Sequence, residues 1–151
     1  MHSYEELAAL AVELIAAGSH FTRAAYQASG MELSNVSMRA LAALEREPGL
    51  RIGELAAREG IRQPSMSQAM KRLVDDGYAA RHTADDDARA TALTITDAGR
   101  EVLRSYRAAA AEAVAPVFEP LKPEDVATLK RAAELLPELT AELKQRKGGC
   151  E

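Results

Sequence analysis

The stretch from Gly53 to Gly99 limits what this chain can fold into more than any other part of it. It begins with Gly53-Glu54-Leu55-Ala56-Ala57-Arg58-Glu59, a helical pattern that places Leu55 and Ala56 inward. Gly60 then supplies the positive φ of a tight turn, and Ile61 fills the angle between this helix and the next. Pro64 is expected at the first position of the second helix, where its missing N–H costs nothing. Met66, Met70, Leu73 and Val74 recur there at helical spacing and are read as core packing. Asp76-Gly77 closes that helix. Tyr78 to His82 and Ala90 to Thr96 alternate as antiparallel strands do, around the acidic tip Thr83-Ala84-Asp85-Asp86-Asp87-Ala88-Arg89.

The flanks read as helices. The first runs from Ser3 or Tyr4 to about Ser29, with Ser3 as its cap and Glu5-Glu6 at the positive end of its dipole. Leu7, Leu10, Ala11, Leu14, Gly18, Phe21 and Ala25 form a stripe suited to packing on another helix. Ser34 or Asn35 caps a second helix from about Val36 to Glu45, with Met38, Leu41 and Leu44 inward. Leu50-Arg51-Ile52 is extended and able to pair with the ribbon as a third strand. After the ribbon, Thr96 caps a helix from Asp97 to about Phe118 that Pro116 is expected to kink or fray. A last helix spans Pro123 to about Lys144, with Pro137 inside it. The division expected is 1–32 and 97–146 for association, 33–96 for a compact lobe, and 147–151 for a flexible tail.

Composition narrows the function classes. At 151 residues, 47% hydrophobic and 28% charged, the chain is an ordinary globular protein. No apolar run approaches the roughly 18 residues of a membrane span, and Met1-His2-Ser3-Tyr4 lacks the basic start of a signal peptide, so the cytoplasm is expected and no membrane partner. The one cysteine, Cys150, lies in the tail with no obvious group to lower its pKa. No phosphate-binding glycine loop, nucleophile elbow, zinc-ligand pair or Cys-His arrangement is present, so an enzyme is not expected. His2, His20 and His82 are scattered, and neither a metal nor a cofactor is expected.

The outward face of the second helix is the chemically interesting surface. With the methionines inward, it presents Ser65, Ser67 or Gln68, and Lys71 or Arg72. Gln68 can bond bidentately to adenine, and Lys71 or Arg72 to guanine or phosphate; Ser65 and Ser67 suit phosphates or base edges. The bland alternative is a solvated helix face. Arg81 is either a phosphate contact or an ordinary strand residue. A net charge of −4 does not oppose DNA binding when cations gather on one helix and one loop.

The order helix, helix, helix-turn-helix, wing and two long helices resembles the MarR family of bacterial transcriptional regulators. The residues that carry the likeness are Ile52-Gly53-Glu54-Leu55-Ala56, Gln63-Pro64-Ser65-Met66-Ser67, Leu73-Val74-Asp75-Asp76-Gly77-Tyr78, Asp87-Ala88-Arg89-Ala90 and Leu93-Thr94-Ile95-Thr96-Asp97-Ala98-Gly99. The resemblance implies a mainly α fold: a winged helix-turn-helix with long N- and C-terminal dimerisation helices and a small antiparallel β-wing. It implies a homodimer on double-stranded DNA, each recognition helix in a major groove and each wing in the flanking minor groove. Repression from a pseudo-palindromic operator, relieved by a small aromatic or phenolic effector, is what the family commonly does.

Carried onto this chain, the resemblance gives a DNA-facing set of Gln63, Ser65, Ser67, Gln68, Lys71, Arg72, Arg81, Asp87 and Arg89. Arg89 would enter a narrow A·T-rich minor groove, where negative potential concentrates, with Asp87 holding it by a bidentate pair. Without the family, a solvated hairpin tip is an equal reading. An effector cleft between the dimer helices and the lobe would be faced by His20, Arg23, Tyr26, Met38, Arg39 and Tyr106, although His20 alone reads more simply as a histidine satisfied at a helix junction. Two residues depart from the pattern. Gln68 stands where many members carry arginine, and Arg51 where many carry threonine or serine, so that helix cap is lost or replaced. The rival reading is a winged-helix module that binds protein and has no sequence-specific hold on DNA.

Overall fold

The computed structural model describes residues 1–148. Six helices and two strands follow in the order α1 (Tyr4–Ala28), α2 (Asn35–Arg46), α3 (Ile52–Glu59), α4 (Gln63–Asp75), β1 (Ala79–Thr83), β2 (Thr91–Ile95), α5 (Asp97–Phe118) and α6 (Pro123–Gly148). The chain is therefore mainly α, with a two-stranded antiparallel wing. Cys150 lies outside the described residues. Among those described, no helix is long and apolar enough to cross a membrane.

Local chemistry sets the helix ends. Ser3 and Glu6 form a reciprocal capping box: the Ser3 hydroxyl accepts from the Glu6 N–H at 3.2 Å and Glu6 accepts from the Ser3 N–H at 2.7 Å. Ser34 caps α2 by accepting the Ser37 N–H at 3.1 Å and donates its own proton to the Ser37 hydroxyl at 3.0 Å, which satisfies a side chain only 1% exposed. Gly60 ends α3 at φ 63°, a left-handed conformation that a side chain would strain.

Pro64 proves to be the second residue of α4, since Gln63 is the first and Arg62 the flanking residue. The proline is still harmless, because the first four N–H groups of a helix have no intrahelical partner. The first strand is shifted by one residue from its expected limits, Ala79–Thr83 in place of Tyr78 to His82, and the second is shorter at both ends, Thr91–Ile95. Tyr78 spends its N–H on the Leu73 carbonyl at 2.8 Å, closing α4, so the ladder begins only at Ala79↔Ile95 and runs to Thr83↔Thr91. Leu50 does not extend into a third strand. It makes one bridge to Leu93, donating from Gly49 and accepting at Leu50, because Ile52 already begins α3.

Contacts divide the chain after Ala113. In the first unit, Leu41, Leu44, Leu55, Met66, Met70, Leu73, Leu93 and Leu103 are wholly buried in one core drawn from α2, α3, α4, β2 and α5. Gly99 permits the join of wing and α5, because a Cβ there would collide with the Tyr78 carbonyl and lie 2.8 Å from Ile95 Cγ1. The Thr96 hydroxyl beside it accepts the Gly99 N–H at 3.1 Å and donates to the Gly77 carbonyl at 2.6 Å.

Helix α1 buries no residue: its stripe is uncovered within the chain, with Leu10 57% exposed. Only near its end do Ala25 and Tyr26 become half-buried, with Tyr26 against the core. In the second unit, Pro116 neither frays nor stops α5, which continues to Phe118. The Phe118 carbonyl accepts from Leu121 at 3.1 Å, and α6 runs past Lys144 to Gly148 with Pro137 inside it.

Candidate nucleic-acid interface

Burial of Met66, Ala69, Met70 and Leu73 fixes the rotation of α4. Gln63, Ser65, Gln68, Lys71 and Arg72 are consequently exposed, whereas Ser67 is only half-exposed. The ambiguity between Ser67 and Gln68 thus resolves towards Gln68 as the residue standing clear of the helix. Both Lys71 and Arg72 reach solvent, and each has an acidic neighbour one turn on. Lys71 Nζ lies 2.7 Å from Asp75 Oδ2, and Arg72 Nε lies 3.9 Å from Asp76 Oδ2.

The wing carries the second group. Arg81 is exposed on β1 opposite Leu93, and the His82 ring nitrogen lies 2.9 Å from the Thr94 hydroxyl. Asp87 does not form the bidentate pair expected with Arg89. Its Oδ1 accepts the backbone N–H of Arg89 at 2.9 Å, while its carbonyl accepts from Ala90 at 3.0 Å. A short carboxylate reaches a peptide N–H two residues on more readily than the end of a long side chain. Asp87 therefore shapes the tip, and the Arg89 side chain is left exposed and without an ion pair among the described residues.

One cation escaped the sequence reading. Arg62 flanks the start of α4, exposed and without an ion pair among the described residues. Its signal was available: arginine has no acceptor to cap a helix with, so another role accounts better for it there. Arg51 likewise cannot cap α3 by its side chain, and half of a capping box replaces the lost cap, with Glu54 Oε2 accepting the Arg51 N–H at 2.8 Å. The guanidinium turns instead to the wing tip, 2.7 Å from Asp86.

Of the six residues expected at an effector cleft, the structure brings together Tyr26, Tyr106 and Met38. The two rings lie 5.9 Å apart at 53° and pack on the core that contains Met38. Burial, with Tyr106 adding to it, raises the Tyr26 hydroxyl above the ordinary tyrosine range. Arg39 is drawn away: its Nε is 3.3 Å from Glu59 Oε2, and its Nη2 also donates to the Glu59 carbonyl. His20 and Arg23 stand exposed on α1. A separate open groove of about 510 Å³ lies at the base of the wing, lined by Pro48, Arg51, Glu54, His82, Asp86 and Thr94 among others.

Known proteins share this arrangement. The MarR family model matches residues 29–90, from the end of α1 through the wing tip. The uncharacterized HTH-type transcriptional regulator ML2140 of Mycobacterium leprae is 32% identical over 114 residues, covering 76% of this chain and 78% of that protein. A putative transcriptional regulator from Pseudomonas aeruginosa PA01 superposes with a TM-score of 0.74 at 24% identity, over 92% of this chain and 98% of that one. A MarR family protein from Bacillus stearothermophilus gives 0.72 at 15% identity, over 93% and 99%. These relatives and this fold are those of transcriptional regulators, which are not enzymes. With the wing, the turned-out face of α4 and a relative matched across most of both chains, this protein belongs to the MarR family of DNA-binding winged helix-turn-helix transcription regulators.

Proposed function

We propose that the protein acts as a homodimer on a pseudo-palindromic operator, as a repressor that a small aromatic or phenolic ligand releases. Residues 1–32 and 97–146 supply the dimer surface, and residues 33–96 the DNA-reading lobe. The observation that carries the reading is the outward face of α4, where Gln63, Ser65 and Gln68 stand exposed over a buried methionine seam, with Arg89 exposed at the wing tip. The uncovered stripe of α1 supports association, since burying a leucine is worth about 1.5–3 kcal/mol. Paired lobes then meet half-sites about one DNA turn, roughly 34–36 Å, apart. The tyrosine pair of Tyr26 and Tyr106 supports an aromatic ligand, which would stack beside these rings.

Selection of bound fragments from the source genome tests the operator. Two-fold-related half-sites are expected, and enrichment of unrelated sequences would refute the reading. On the selected site, Arg89→Ala is expected to weaken binding while the fold and oligomeric state persist. Unchanged affinity would remove the wing from the interface.

A further inference from the structure

The charges on α4 are arranged against the stability of the helix. Asp75 is its last residue and Asp76 its flanking residue, so two carboxylates sit at the negative end of the helix dipole. Each follows its cation by four residues, and cation before carboxylate is the weaker order of such pairs. Helix stability therefore does not account for them. They lie beside Lys71 and Arg72, the two cations of that helix, at 2.7 and 3.9 Å, and offset their positive charge. Arg51, flanking α3, is paired as well, by Asp86 at the wing tip. By contrast, Arg62, Arg81 and Arg89 are exposed and have no ion pair among the described residues.

We propose that Asp75 and Asp76 are built-in counterions of the recognition helix, which lower its attraction to DNA of any sequence and leave that attraction to Arg62, Arg81 and Arg89. Phosphate contacts release condensed cations from the duplex in proportion to the net positive charge brought up to it. A cation with its own carboxylate beside it brings none. Affinity for indifferent DNA is thereby held down while the polar face of α4 keeps its hydrogen bonds to bases, which widens the ratio of specific to non-specific binding. This rests on the reading of α4 as the DNA-facing helix.

The test is a salt titration of the full-length protein on a labelled random-sequence duplex, between about 50 and 200 mM salt. Wild type is expected to show a log–log slope of about −2.7 per protomer, −0.9 for each of the three unpaired arginines. Asp75→Asn with Asp76→Asn should steepen it by about 1.8 per protomer and raise affinity by roughly fivefold per carboxylate removed near 150 mM salt. Adding Lys71→Gln and Arg72→Gln should return the slope to the wild-type value, which a purely structural role for the aspartates would not produce. An unchanged slope in the double variant, or a steep slope that persists in the quadruple variant, overturns the proposal while DNA binding stands. Failure of the wild type to bind any duplex would sink the DNA-facing assignment itself, and this proposal with it.

Discussion

The lobe around α4 and the helix α1 carry the same kind of apolar periodicity and do opposite things with it. Leu41, Leu44, Leu55, Met70 and Leu73 lose all contact with solvent inside one chain. Leu7, Leu10 and Leu14 on α1 keep about half of their surface exposed, and only the end of that helix, through Tyr26, is tied to the core. Periodicity thus states that a face is to be covered and is silent on what covers it. Where neighbouring segments are short and turn back sharply, as from α2 to β2, the chain covers its own face. A long uninterrupted helix has no such return and needs another surface.

The largest effect expected lies in the lobe. Gly99→Ala would press a methyl group into the Tyr78 carbonyl, and backbone cannot yield as a flexible side chain can. A loss of about 3 kcal/mol, at the top of the overpacking range, is expected in urea unfolding. An unaltered midpoint would mean that the wing is less firmly locked to α5 than its geometry requires. On the other side of the comparison, Leu10→Glu should leave the lobe folded and shift the protein to monomer in sedimentation, at about 1.5–3 kcal/mol per leucine unburied. A dimer that survives it would place the association surface elsewhere.

The smallest effect concerns Tyr26, where the two regions meet. A phenol whose pKa is raised on folding keeps its proton while the unfolded chain releases one. Its contribution is complete at neutral pH and is lost as pH rises past about 10. Tyr26→Phe should flatten that alkaline fall in melting temperature. An identical fall in wild type and variant would assign it to another group.

Element order, the limits of α5 and the turn at Gly60 were legible because each depends on a local rule: a threonine cap, an uninterrupted helical run, a glycine at positive φ. The rotation of α4 was legible to within one residue, and the burial of Met66 and Met70 then separated Ser67 from Gln68. Side-chain partners were not legible. Asp87 with Arg89, and Arg39 in the expected cleft, were plausible pairings in sequence, but competing partners took them: the backbone N–H of Arg89 donates to Asp87, and Arg39 pairs with Glu59. Arg51 with Asp86 spans 35 positions and follows only from the fold that brings the wing beside α3. Such choices depend on which partner lies nearest in space, and spacing along the chain does not carry that information.

Thr96 fastens two helix ends with one side chain. Its single hydroxyl proton is committed to the residue that stops α4, and its oxygen to the first turn of α5. Replacing that one side chain with valine therefore forfeits both bonds at once, at the stop of one helix and the start of another.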